Sequence, residues 1–135
     1  NYFREPYELA VQKMKSERRA AHEVEMEIMN IDHAEVGGWL ASRWHFPPSL
    51  IVPVQYHHDP LAADEDYRRD AMIVHLANIM AKQLQIGVCY EAEVPDPDEA
   101  ILNELNLTPD DVQLLLEELE GAKEEIDEFF KYLHG

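Results

Sequence analysis

Apolar residues along this chain recur at spacings of three and four, the period of a helix face, far more often than they alternate. Tyr7, Ala10 and Met14 open the series, with Pro6 at an early helical position. A second helical segment covers Ala20 to Met29. Asp32 stands where a cap is needed: its carboxylate can accept the backbone N–H of Glu35, whose own carboxylate can reach back. The helix behind it places His33, Gly37, Leu40 and Trp44 on one face. Pro47-Pro48 breaks the chain, and a helix resumes over Ser49 to His58 with Pro53 as an internal kink. Tyr67 to Gln85 is apolar nearly all round, through Ala71, Met72, Ile73, Val74, Leu76, Ile79 and Met80, and such a helix belongs inside a bundle. Asp96-Pro97 and Thr108-Pro109 each read as a cap followed by proline. The last helix carries Val112, Leu115, Leu116, Leu119, Ala122, Ile126, Phe129, Phe130 and Leu133 as one stripe. No alternating β-branched run is bounded by a hairpin dipeptide. The pattern predicts an all-α bundle of six to seven helices.

A length of 135 residues suits one domain, and a 46% hydrophobic content suits a globular one. Charge narrows the partners. Eleven Lys and Arg face 28 Asp and Glu, for a net of -17. Such a surface repels phosphate backbones and anionic lipid alike, which argues against nucleic acid and membrane as partners. No apolar run is long enough to span a bilayer. The charge is also uneven: residues 1–90 carry a net of -4 and residues 91–135 a net of -13. This divides the chain into a main helical part, 1–90, and an acidic helical extension, 91–135, packing on it across the linker-like stretch Cys89 to Pro97. The acidic run reads either as a solvated helix face or as a docking surface for a basic partner. Cys89 is the lone cysteine, which points to a reducing, cytoplasmic setting. A start at Asn1, without the pattern of a signal peptide, suggests a piece of something longer or a processed product.

Seven histidines supply the candidate chemistry. His57 and His58 are adjacent and followed by Asp59, His33 lies in the first turn of an earlier helix, and His75 and Asn78 interrupt the apolar central helix. Imidazoles suit first-row divalent metals. Neighbouring side chains on a regular helix diverge by roughly 100°, so His57 and His58 can share one ion only at a frayed helix end. The plain alternatives are a cationic His at a helix C-terminus, or a buried His bonded to a carbonyl. Trp39 and Trp44 read as core or interface packing, and Gly37-Gly38 as a point of close helix approach.

Glu25, Asp32-His33-Ala34-Glu35-Val36-Gly37, Leu40, Trp44, Pro47 and His57-His58, in this order, resemble the second half of an HDOD domain, and AMIVHLANIMAKQLQIG is similar to that family's next apolar helix. The resemblance covers roughly residues 5–90. It implies an HD-domain-like helical fold and a bacterial signal-transduction output module, a regulatory domain working through protein partners and without catalysis. By analogy with the metal-dependent HD phosphohydrolases, His33, His57 and His58 stand at metal-ligand positions, and Asn78 stands where active relatives carry an Asp. The resemblance further implies that the catalytic His-Asp helix would precede Asn1, and the Gly-Tyr-Pro motif of the HD-GYP branch is missing after His58-Asp59-Pro60. We therefore expect vestigial ligand positions, no cofactor, and Glu25 and Asp59 in a structural polar cluster, with Glu25 orienting His33. The alternative is a divalent-metal hydrolase whose remaining ligands lie upstream. The uncovered apolar surface of the central helix leads us to expect a homodimer, strengthened by salt because the chain is so acidic.

Overall fold

The computed structural model describes residues 4–134. Among them the chain forms seven α-helices and no strand: α1 (Arg4–Glu17), α2 (Ala21–Met29), α3 (His33–Arg43), α4 (Pro48–Tyr56), α5 (Glu65–Gln83), α6 (Glu99–Leu105) and α7 (Pro109–His134), with a 3-10 turn at Pro60–Ala62 between α4 and α5. The all-α bundle predicted by the hydrophobic spacing is what forms.

Two apolar clusters hold it. Ala10 and Met14 of α1 close on Val24 of α2, with Ile28 and Tyr90 against them. Met72, Leu76 and Met80 of α5 meet Ile101, Leu102 and Leu105 of α6 and Val112 of α7, with Leu116 and Leu119 packed at the edge. After α5 the chain turns back beside α1, where the N–H of Ala92 donates to the carbonyl of Arg18 at 2.9 Å. α5 itself packs on α4 and on α6, and so lies between the histidine-bearing helices and the C-terminal ones.

Local chemistry explains most boundaries. Asp32 caps α3 by accepting the N–H of Glu35 at 2.9 Å. The return bond of the expected capping box, from Asp32 N–H to Glu35, is not made, and the next donor, the N–H of His33, goes to Glu25 of α2 at 2.9 Å. Thr108 and Asp111 exchange bonds at the start of α7, Thr108 N to Asp111 Oδ2 at 2.7 Å and Asp111 N to Thr108 Oγ1 at 3.2 Å. The Asp96-Pro97 start is corrected. α6 begins two residues later, capped by Asp98, whose carboxylate accepts from Ala100 N at 2.7 Å. Asp96 instead takes a bond from Gln83 Nε2 at 3.3 Å, which holds the linker on the end of α5. The central helix is also less enclosed than its sequence suggests, since Ile73 and Val74 stay exposed.

α3 and α4 pack closely because α3 has no side chains at the crossing. A Cβ on Gly37 would lie 2.9 Å from Val54 Cγ1, and one on Gly38 would lie 2.8 Å from Gln55 Cβ. The Gly37-Gly38 reading is thereby fulfilled. Gly38→Leu should cost about 1–3 kcal/mol, as for overpacking of a close contact, and urea unfolding will show it as a lower midpoint with an unchanged slope.

Candidate functional site

α4 ends at Tyr56, so His57 and His58 lie in the turn beyond it rather than on its cylinder. Released from helical spacing, their rings come to 4.0 Å of each other. The close α3–α4 crossing brings them to the first turn of α3, where His33 meets both: its ring lies 5.4 Å from that of His57 and 4.8 Å from that of His58. One nitrogen from each of His33, His57 and His58 falls within 4.8 Å of the others. The expected convergence is present.

Hydrogen bonds fix which nitrogens carry protons. Buried Glu25 accepts His33 Nδ1–H at 2.6 Å, because a carboxylate has no proton to offer. In a neutral His33 the Nε2 is then a lone pair, which accepts His58 Nε2–H at 2.9 Å. His57 Nδ1–H donates to the carbonyl of Val54 at 2.7 Å, which leaves His57 Nε2 as a lone pair. His75 of α5 donates Nδ1–H to the carbonyl of His57 at 2.7 Å and pins the turn to the central helix. One chain of bonds thus runs Glu25, His33, His58, and a second runs His75, His57, Val54.

A fourth imidazole belongs to the cluster, and the spacing of the chain did not single it out. His22 of α2 stacks on His58, with ring centroids 4.0 Å apart and planes within 16°. His22 and Glu25 lie three residues apart and so share a helix face, a signal that reading α2 together with His33 would have raised. Its Nδ1 is buried with no hydrogen-bond partner. Burial drives His22, His57 and His58 toward the neutral form, and it lowers His58 to about 2, with the neighbouring imidazoles adding to the effect. Lys82 of α5 also acts on His22 and His58 through its charge, while its Nζ donates to Glu91 Oε1 at 2.9 Å.

Asn78 is half-buried on α5, one turn from His75 and one from Lys82, on the same side of the helix. Asp59 stands apart: it is exposed, and its side chain makes no cap bond to the 3-10 turn it precedes. The polar cluster thus gathers around Glu25 and not around Asp59. Beside Glu25 and His33 opens an apolar groove of about 670 Å³, walled by Tyr7, Met29, Val36 and Trp39.

The donor set fits one kind of metal and not another. Three neutral imidazoles, one oriented by a carboxylate, match a mononuclear zinc-like site, in which the ion would polarise a bound water or anion. No carboxylate belongs to the convergent set, so a two-metal hydrolytic centre has no bridging ligand among the described residues.

The ordered pattern from Glu25 through Asp32-His33 to His57-His58 has its counterpart in a known family. Residues 1–60 match the HDOD domain. The HDOD match takes in α1 to α4 and every member of the histidine cluster except His75. A 70-residue stretch is 31% identical to an uncharacterised protein of Treponema pallidum (strain Nichols), covering 52% of this chain and 14% of that protein. The fold is similar to that of a solved structure from Marinobacter aquaeolei VT8, provisionally described as a signal transduction protein, with a TM-score of 0.77 at 21% identity. That likeness covers 91% of this chain and 26% of the other, so it runs past the HDOD match into the C-terminal helices. The chain spans well under a third of either protein.

Proposed function

We propose that this HDOD-containing chain is a non-catalytic regulatory module of a bacterial, cytoplasmic signalling protein, acting by contact with protein partners that include a second copy of itself. The observation that carries this reading is the way the histidine cluster spends its nitrogens. The lone pair of His33 accepts a hydrogen bond from His58, and His57 is held by a backbone carbonyl, so these bonds tie His33, His57 and His58 into a structural knot, with His22 Nδ1 the buried nitrogen left without a partner. The groove beside it offers apolar surface: Tyr7 and Trp39 are more than half exposed, as surfaces that receive another protein often are. The provisional signalling description of the Marinobacter protein supports the same class.

A second reading, a metal-dependent phosphohydrolase completed by ligands upstream, draws support from the convergence of the three imidazoles. Titration calorimetry with Zn²⁺ and Mn²⁺ separates the two. A knot that must lose the His33–His58 bond to admit an ion should bind zinc no tighter than about 10 µM, whereas a hydrolytic site should hold metal stoichiometrically through dialysis. Stoichiometric retention, or hydrolysis of cyclic dinucleotides, would overturn the first reading.

For the second copy, sedimentation velocity at tens of micromolar should show a dimer that strengthens as salt screens the charge of -17. Trp39→Glu should make it monomeric. A monomer at every concentration and salt would remove self-association from the proposal.

A further inference from the structure

Glu25 is a buried carboxylate with one oxygen to spare. Its side chain is only 7% exposed, and both bonds it accepts, from the backbone N–H and the ring Nδ1–H of His33, fall on Oε2. Among the described residues Oε1 has no hydrogen-bond partner, and with His33 neutral no cation pairs with the carboxylate. Arg19 and Lys82 share a cavity of about 340 Å³ with Glu25, yet Arg19 pairs with Glu17, Glu23 and Glu27, and Lys82 pairs with Glu91. A buried carboxylate is costly unless a cation or further donors reach it.

The Tyr7–Trp39 groove is lined in part by this carboxylate. Its one cation among the described residues, Arg4, is exposed and turned to Glu8 at 2.9 Å. Both ring nitrogens of His33 are taken, by Glu25 and by His58. What the lining leaves free is acceptor: Glu25 Oε1, and Asp32 Oδ2, since Asp32 uses Oδ1 to cap α3. Arg43 stands over the Trp39 ring at 5.7 Å from its centroid, so a second cation belongs at the Glu25 end of the groove and not at the Trp39 end.

Such a site selects by charge. An anion would face two carboxylates, and a neutral apolar molecule would leave Glu25 as it is. A protonated amine brings both the donors and the charge, while the apolar walls call for an apolar body. We propose that this groove binds a small molecule joining a protonated amine to an apolar body, the amine on Glu25 Oε1 and the body against Tyr7, Val36 and Trp39. Its volume of about 670 Å³ suits such a ligand, since small-molecule sites run from about 300 to 1,000 Å³. The inference goes beyond protein docking, which uses the exposed Tyr7 and Trp39 and has no need of Glu25.

Nitrogen-15 NMR titration of the whole chain tests it at about 150 mM NaCl, where long-range charge is screened. The probes are three indoles of like shape: cationic tryptamine, neutral tryptophol and anionic indoleacetate. Tryptamine should bind with a Kd of about 1 mM or tighter, the scale of a fragment-sized ligand, and shift Ile31, Val36 and the Trp39 indole N–H. Tryptophol should bind at least about tenfold more weakly, and indoleacetate should show no binding. Glu25→Gln, which keeps an acceptor for His33, should abolish the preference for tryptamine, whereas Trp39→Ala should weaken tryptamine and tryptophol alike. Equal binding of these two by the wild type overturns the proposal. A preference that survives in Glu25→Gln overturns it too, as do shifts confined to the acidic residues 91–135, where any cation would gather. Sedimentation of the same samples separates this site from the second copy. A monomer that binds tryptamine supports the ligand site and removes the second copy, and a dimer that does not bind it does the reverse.

Discussion

Replacing Glu25 by alanine should destabilise the protein by about 1–3 kcal/mol, the cost of leaving the backbone N–H of His33 without its acceptor, while the His33 ring, nearly half exposed, can give its Nδ1–H to water. Glu25 is the buried acidic residue of the core, and one of its oxygens receives both the backbone N–H and the ring Nδ1–H of His33. The backbone donor lies at the N-terminus of α3, where no turn of helix precedes it to supply a carbonyl. Glu25→Gln keeps an oxygen at the same place and should lose only about 1 kcal/mol, the difference between a charge-assisted and a neutral acceptor. Urea unfolding of the three proteins measures this. Nitrogen-15 spectra of the imidazoles supply a second readout: without the carboxylate, His33 should exchange between its tautomers and the His58 Nε2–H bond should weaken. An alanine variant as stable as the wild type, with an unchanged His33 tautomer, would mean that Glu25 does not hold the knot.

The fold was legible wherever one helix face explains a residue. Spacing placed α2 and α5 to within two residues and located α1, α3 and α7 by their stripes, because each carries a row of apolar side chains that only a helix can keep on one side. Boundaries set by competing caps were less legible. Asp96-Pro97 and Asp98 both suit a helix start, and the choice of Asp98 follows from the bond between Asp96 and Gln83, thirteen residues earlier in the chain. The end of α4 mattered most for the site. Reading the helix through His58 makes its two histidines diverge, whereas its end at Tyr56 lets them meet.

Within the site, His33, His57, His58 and Glu25 were legible as an ordered pattern, and the structure adds how they are joined. The role of His22 was hidden because stacking has no sequence period. It arises where α2 and the turn after α4 come together, a contact between residues 36 positions apart. The exposure of Trp39 at 61% and Trp44 at 64% was equally hidden, since an apolar side chain reads the same whether it faces its own core or a partner.

Acidification below about pH 6.5 should destabilise this protein through its histidine cluster, at a pH well above the range in which most carboxylates titrate. His58 falls from its ordinary value of 6.5 to about 2 in the folded chain, chiefly through burial and then through the neighbouring imidazoles, and His22 and His57 shift the same way. The unfolded chain therefore binds more protons than the folded one between these limits, so stability falls as pH falls. The contribution is fully present above about 6.5, and from there to pH 5 His58 alone should remove about 2 kcal/mol, at about 1.4 kcal/mol per pH unit. The groups facing it fix the sign. His57, His22, His33 and Lys82 disfavour a charge on His58, and none of the largest influences on it is a carboxylate. The net charge of -17 acts in the opposite direction, because protonating carboxylates relieves repulsion in the folded chain. That relief is common to the wild type and to His58→Gln, whose amide can still donate to His33 Nε2. Urea unfolding at pH 7.5, 6.5, 5.5 and 5.0 should show the wild type losing about 2 kcal/mol more than His58→Gln over that range. Parallel pH profiles for the two proteins would mean that the imidazole of His58 takes up its proton without leaving the cluster.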